Sequence, residues 1–357
     1  MSRTSWWLVG LVAGAAACSG EGKSTSDSTD VTDVTDTDVD TDTDTDVDTD
    51  TDTDTDTHST PFEVPTPVGD PATIALAGEC PLETRYGGFN VDVYEEYSLV
   101  SGSVADGVNP VTILEEMAAE SGCRLLRRNN PFCDPPCDAG DVCDFDGTCI
   151  PFPSNQDLGT VSVGGLAEDV VMRPIEPGRQ YFDTTVPHPV FEPGDLVELR
   201  SWDTTFGSDV TLHGVGVEPI TTAGLDTWVI FDNQPLHVTW NAPGDSLQSR
   251  VWVKLNIDQH GTTPVTMYCD LPDSGSADLP ASLLHTLINF GVTGFPNATI
   301  ARRTVDSTAI GGGCMELSVT SPTQPSVRVD GFIPCAGTPD CPSPQICDPV
   351  TFICRNP

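Results

Sequence analysis

Cationic residues are scarce in this chain. Of 357 residues, 15 are Lys or Arg and 54 are Asp or Glu, for a formal net charge of -39. Lysine occurs only at Lys23 and Lys254, and the arginines are scattered. No basic stripe exists along which a phosphate backbone could lie, which excludes nucleic-acid binding. The apolar run Trp6–Ala13 is too short to cross a bilayer as a helix. Catalytic signatures are missing as well. There is no Gly-x-Ser-x-Gly elbow for a nucleophile and no His-x-x-x-His pair for a metal. Paired Cys-x-x-Cys knuckles are absent too, which leaves no zinc ribbon.

What is abundant is acid, cysteine and turn residues. Asp27 to Asp56 contributes 14 aspartates in near-strict alternation with Thr and a few Val. Such a segment cannot bury a core. Extended at about 3.3 Å per residue, its alternate charges fall roughly 7 Å apart, close to the Debye length of about 8 Å, so they repel and keep the chain stretched. Pairing it as a strand would set like charges opposite one another. A solvated tether over 18–60, reaching about 100 Å, is the expectation, with weak multivalent calcium binding as the functional rival.

Thirteen cysteines are too many for a reduced cytosolic protein of this size, and removing Cys18 leaves twelve, an even number. Arg3, the apolar run and Ala15, Ala16 and Ala17 before Cys18 have the three parts of an export signal over 1–17. Ala15-Ala16-Ala17-Cys18 resembles the lipobox of bacterial lipoproteins, with Ala15 in place of the usual Leu. The resemblance implies that Cys18 carries a diacylglycerol. Ser19 after it implies sorting to the outer membrane, on the cell surface or the periplasmic face. Buried acyl chains contribute about 0.8 kcal/mol per methylene, so two or three of them anchor firmly. Ordinary cleavage after Ala17, leaving a free thiol, is the alternative.

From Pro61 onward, Pro and Gly punctuate short runs rich in Val, Ile, Thr and aromatics, the pattern of a mainly β protein with one or two antiparallel sandwich domains. Strands are expected at Thr73–Ala77, Phe89–Tyr97, Thr160–Val163, Leu196–Trp202, Trp228–Phe231, Leu236–Trp240, Val251–Ile257 and Val265–Cys269. In the seventh, every odd position is apolar, so one face lies in a core. Two packing helices are expected. One follows the Asn109 cap and Pro110, runs to Gly122 and presents Leu114, Met117 and Ala118; the other spans Pro280–Phe290, with Leu283, Leu284, Leu287 and Ile288 inward. The expected domains are a β-rich unit at 61–185 with a cysteine-rich insertion at 131–153, a sandwich at 186–325 opened by the turn at Phe191–Asp195, and a cysteine-rich module at 330–357. Pro235–Pro243, with Trp240, resembles the strand that carries the core tryptophan in fibronectin-like sandwiches.

The cysteines form a repeat. Cys133, Cys137, Cys143 and Cys149 are separated by three, five and five residues, and Cys335, Cys341, Cys347 and Cys354 by five, five and six; Asp141-Val142-Cys143-Asp144 matches Gln345-Ile346-Cys347-Asp348. Each module is too short for a core, so disulfides must stabilise it at roughly 2–4 kcal/mol per bridge. Together they resemble short cysteine-rich repeats of secreted lipoproteins in myxobacteria-like organisms, a likeness that extends to the whole layout of signal, acidic stalk and β modules. For the other four cysteines the expected pairs are Cys80 with Cys123 and Cys269 with Cys314.

Candidate chemistry is sparse. Asp273-Ser274-Gly275-Ser276 resembles the Asp-Ser/Thr-Gly signature of aspartic proteases, but a second copy is missing and an acidic turn is the expectation. Ser282 and His285 share one helix without a separate orienting acid in the motif. His58 lies in the tether, His188 sits between prolines, and His213, His237 and His260 follow no metal spacing, with His237 expected as a half-exposed sheet residue. Asp138, Asp141, Asp144 and Asp146 before Gly147 offer calcium-type oxygens without the twelve-residue loop. No catalytic residue, metal site or cofactor is therefore expected. The expected function is a lipid-anchored binding or structural module, its partners the membrane and a glycan or protein ligand. An extracytoplasmic hydrolase and a cysteine-knot protease inhibitor are the alternatives.

Overall fold

The computed structural model describes Val64 and residues 66–128, 131–202, 204–207, 209–222, 227–257 and 264–357. The signal, Cys18, the Asp27–Asp56 tether with His58, and His260 lie outside the described residues.

The first third of the body gives β1 (Arg85–Val93), β2 (Ser98–Val104), β3 (Leu114–Glu120), β4 (Cys123–Arg128), β5 (Asp141–Cys143) and β6 (Cys149–Pro151). Then come β7 (Thr160–Gly164), β8 (Val170–Met172), β9 (Tyr181–Asp183), β10 (Leu196–Trp202), β11 (Val210–Val215), β12 (Thr227–Ile230) and β13 (Leu236–Thr239). The rest is β14 (Arg250–Asn256), β15 (Val265–Pro272), β16 (Ser276–Leu279), α1 (Ala281–Phe290), β17 (Asn297–Ile310), β18 (Gly313–Thr323), β19 (Ser326–Val329), β20 (Ile346–Cys347) and β21 (Cys354–Arg355).

One large sheet runs in the order β3-β4-β15-β14-β17-β18-β1-β2-β9, with β19 joined to β17 and β12 to β19. It is mixed rather than purely antiparallel, because β1 runs parallel to β18 and β12 parallel to β19. A second, antiparallel sheet has the order β11-β10-β7-β8.

Two hydrophobic cores lie along the large sheet. In the first, Phe89, Val91, Val100, Leu317 and Val319 meet Val161, Val163, Leu199 and Leu212 of the four-stranded sheet, a sandwich of two layers. In the second, Leu125, Met267, Val253, Leu255 and Ile300 pack with Leu283, Leu284 and Leu287 of α1 and with Trp228, Val238 and Trp240. The alternation that marked Val251–Ile257 is observed: Val251, Val253 and Leu255 are buried on the second core.

Three expectations are corrected. First, the boundary at 186 does not separate two domains. β7 and β8 share a sheet with β10 and β11, and β1–β4 and β9 share the large sheet with β14, β15, β17 and β18. Residues 60–357 form one compact unit with two cores, and the chain crosses between them. The Glu192–Asp195 turn does lead into β10 as read.

Second, the helix expected after Asn109 is a single 3-10 turn, Pro110–Thr112, followed by a strand. Asn109 does cap it, accepting from the Val111 N–H at 3.1 Å. Leu-Glu-Glu-Met-Ala-Ala-Glu is composed of good helix formers, but propensity is overridden by the turn that follows. Ser121 and Gly122 both have positive φ, 51° and 78°, and connect directly opposed Glu120 and Cys123. This is the two-residue geometry that matches strand twist. At Gly122 a Cβ would stand 2.9 Å from the Asp270 carbonyl oxygen, so the tight turn requires glycine. β3 forms the sheet edge, and its exposed glutamates discourage pairing with another chain. The helix expected at 280–290 is present as α1, ended by Gly291 at φ 124°.

Third, Thr73–Ala77 forms no strand; its Ala77 N–H donates to the Asp306 carboxylate at 2.8 Å instead.

Candidate functional site

All twelve cysteines from Cys80 to Cys354 are in six disulfides. The pairing of the four outside the modules differs from expectation: Cys80 joins Cys314 and Cys123 joins Cys269. Register is the cause. Cys123 and Cys269 are directly opposed on β4 and β15. Cys314 lies in β18 opposite Arg85 at the start of β1, within reach of the segment carrying Cys80. In both modules the first cysteine pairs with the third and the second with the fourth. Each module also has one two-stranded ladder, with Cys143 opposite Cys149 and Cys347 opposite Cys354. The repeat is therefore structural as well as sequential.

Among the described residues, the groups of three or more His, Cys, Asp or Glu ligand atoms lying within 4.8 Å of one another are Cys133, Cys137, Cys143 and Cys335, Cys341, Cys354. Every one of these sulfurs is in a disulfide. Two aspartates of the first module, Asp144 and Asp146, are used locally. Asp146 accepts from the Thr148 N–H at 2.8 Å and hydroxyl at 2.6 Å, bonds that hold its carboxyl below the ordinary range, and Asp144 accepts from the Phe145 N–H at 2.7 Å.

The described histidines are dispersed. His213 Nε2 lies 3.2 Å from the buried Glu198 carboxylate, which also pairs with Arg200. His237 is exposed and pairs with Asp278 at 2.7 Å across β13 and β16. His285 Nδ1 meets Asp232 at 2.6 Å and its Nε2 meets the Asn289 amide at 3.0 Å. Ser282, one turn away, donates instead to Glu120. Ser282 and His285, which share the helix, bond to different partners. His188 takes the Ser98 hydroxyl at 2.9 Å and the Glu95 carbonyl at 3.2 Å, which pins its loop.

Asp273 lies in the expected turn but is buried, not solvated. Arg302, fully buried, donates from Nε to Asp273 Oδ2 at 2.6 Å, from Nη1 to the Glu218 carbonyl at 3.0 Å and from Nη2 to the Asn241 carbonyl at 2.7 Å. Ser249 and the Trp240 indole also donate to Asp273, at 2.7 and 2.8 Å. Burial raises the Asp273 pKa, and these bonds more than reverse that, holding it below the usual carboxylate value. The arrangement is a buried rivet, with both carboxylate oxygens of the aspartate already accepting hydrogen bonds. Asp92 on β1 is the opposite case: burial pushes its carboxyl up to about 7.

A cleft of about 260 Å³ beside β4, β14 and β15, which no local motif announces, gathers three of the scattered arginines. Arg85 pairs with Glu316 at 3.0 Å and approaches Glu79 at 4.0 Å. Arg303 pairs with Glu79 and stacks 5.4 Å from the centre of the Trp252 ring. Arg124 is exposed and makes no ion pair or hydrogen bond with any described residue. Trp252 and Tyr268, their ring centres 5.8 Å apart, form one wall. Separation in the chain is the reason no motif announces it: the lining comes from six segments.

No protein-family description matches the chain, and no curated protein does. Among solved structures it is similar to the FN1–FN3 domains of chicken CNTN1 at 8% identity, covering 63% of this chain and 78% of that one with a TM-score of 0.15. A likeness of that degree carries no argument about fold or function.

Proposed function

We propose that the chain is an exported, lipid-anchored protein whose acidic tether holds a disulfide-stapled β body away from an outer membrane, where the body binds a ligand or builds a structure rather than catalysing a reaction. The observation that carries this reading is the complete pairing of the twelve cysteines between Cys80 and Cys354. Six disulfides fit an oxidising compartment. They also leave Cys18 as the one thiol outside the set, following small residues where a diacylglycerol would be attached. Two or three acyl chains give an attachment that one chain does not. The body suits display: both cysteine modules are short and cross-linked, and the charged edge strand β3 resists edge-to-edge association.

Cys18→Ser in a Gram-negative host tests the reading. Wild type should incorporate labelled palmitate and sediment with outer membranes, and the variant should lose both while keeping its six disulfides. A variant that still partitions with membranes refutes the anchor.

A further inference from the structure

We propose that the Arg85–Arg124–Arg303 cleft binds a small organic acid, a carboxylate carried on a single apolar ring; this deepens the binding-module reading and rests on it. The argument starts from charge. Three arginines line the cleft in a protein that carries a net -39, and their acidic partners there are Glu79 and Glu316. Arg303 also reaches Asp270 at 3.8 Å, so the carboxylates gather on Arg85 and Arg303, and Arg124, exposed at the cleft, is the arginine that pairs with none of the described ones.

The second observation is the fixed placement of Arg85, whose guanidinium is held at the cleft by Glu316 at 3.0 Å and by the Cys80 carbonyl, to which it donates at 3.2 Å. Guanidinium forks match carboxylates in two-point geometry, and bonds of that kind are among the stronger ones available.

The walls say what carries the acid. Leu82, Leu114 and Leu126 face the cleft together with Trp252 and Tyr268, so the body of the ligand meets apolar and aromatic surface. At about 260 Å³ the cleft is below the roughly 300–1,000 Å³ of sites for drug-sized molecules. One ring with a short acidic arm suits it, and a long acyl chain does not.

The test titrates full-length Cys18→Ser protein, free of acyl chains, with phenylacetate, with the neutral 2-phenylethanol and with acetate, read by calorimetry. Phenylacetate should bind one to one, at least tenfold more tightly than either control, and more weakly as salt is raised. Arg124→Gln, at an exposed position, should lower phenylacetate affinity at least tenfold with an unchanged near-ultraviolet circular dichroism spectrum, and Trp252→Leu should weaken it as well. Equal binding of acetate would reduce the site to an unspecific anion contact and overturn the proposal, as would unchanged affinity in Arg124→Gln or no binding of phenylacetate. A ligand of another class retained by Arg124→Gln would sink the cleft while leaving the binding-module reading in place. Membrane fractionation of the wild type reads the anchor independently of both.

Discussion

Removing Arg302 should be among the most damaging single substitutions in the body. Its guanidinium is fully buried and bonds the Asp273 carboxylate and the carbonyls of Glu218 and Asn241. Arg302→Met fills much of the volume but leaves a buried carboxylate with only Ser249 and Trp240 as donors and two carbonyls without a partner. Breaking one side of a buried ion pair costs about 3–5 kcal/mol, and each of the two orphaned carbonyls adds about 1 kcal/mol, so a loss of about 5–7 kcal/mol is expected. In Arg302→Met/Asp273→Leu no charge is stranded, and the double variant should be more stable than Arg302→Met alone by about 2 kcal/mol. The assay is urea unfolding with disulfides intact, followed by tryptophan fluorescence, since Trp240 bonds Asp273 directly. Acidity gives a second reading. The folded-state pKa of Asp273 is depressed, so its contribution is present above the unfolded value near 3.8 and is lost as pH falls through the folded value. In Arg302→Met the penalty should shrink on acidification, as the stranded carboxylate takes up a proton. A loss under 1 kcal/mol for Arg302→Met, or simple additivity in the cycle, refutes the account of Arg302 as a rivet.

Asp92 should give the opposite pH trend. Its folded pKa is raised from 3.8 to about 7, so the favourable state is complete below the unfolded value and is lost as pH rises through 7. At about 1.4 kcal/mol per unit this amounts to about 4 kcal/mol at pH 8, and Asp92→Asn should raise alkaline stability and flatten the profile between pH 4 and 8. Non-reducing peptide mapping should recover the Cys80–Cys314 and Cys123–Cys269 cross-links. The Cys80→Ala/Cys314→Ala variant, which opens a bridge between residues 234 apart, should lose about 4–5 kcal/mol in chemical denaturation. Gly294→Val should loosen the C-terminal module. A Cβ there would stand 2.3 Å from the Phe352 carbonyl oxygen, where the Gly294 N–H now donates to Thr351 at 2.7 Å. The expected readout is faster proteolysis after 330 with the rest of the body intact.

What could be read from the sequence was local. Val251, Val253 and Leu255 alternate because one face of β14 is in a core, and Leu283, Leu284 and Leu287 share a stripe because α1 buries one side. The cysteine modules were legible for the same reason, since their bridges close loops of 10 to 13 residues. Residues 114–120 show where local signals fail. Leu, Glu, Met and Ala favour a helix by a few tenths of a kcal/mol each, whereas pairing with β4 and the Ser121–Gly122 turn settle the matter through contacts that periodicity does not report. The Ser-Gly dipeptide was the available clue, a turn signal that was read as a helix stop.

Non-local order was not legible, and it decides both the domain plan and the cleft. β1 and β18 are parallel neighbours, and parallel strands need a crossover; here the crossover is more than 200 residues of intervening chain. A boundary drawn along the sequence therefore cannot separate the two cores, because the strands that open and close the body lie side by side and the Cys80–Cys314 bridge fixes them there. The same closure assembles the cleft. Arg85 is at the start of β1, Arg303 is on the long strand before β18, and between them the chain supplies Arg124, Trp252 and Tyr268 from three neighbouring strands. Each arginine taken singly reads as a scattered surface cation. Only a sheet order that runs β4, β15, β14, β17, β18 and β1 turns three of them, with two aromatic rings, into a place for an acid.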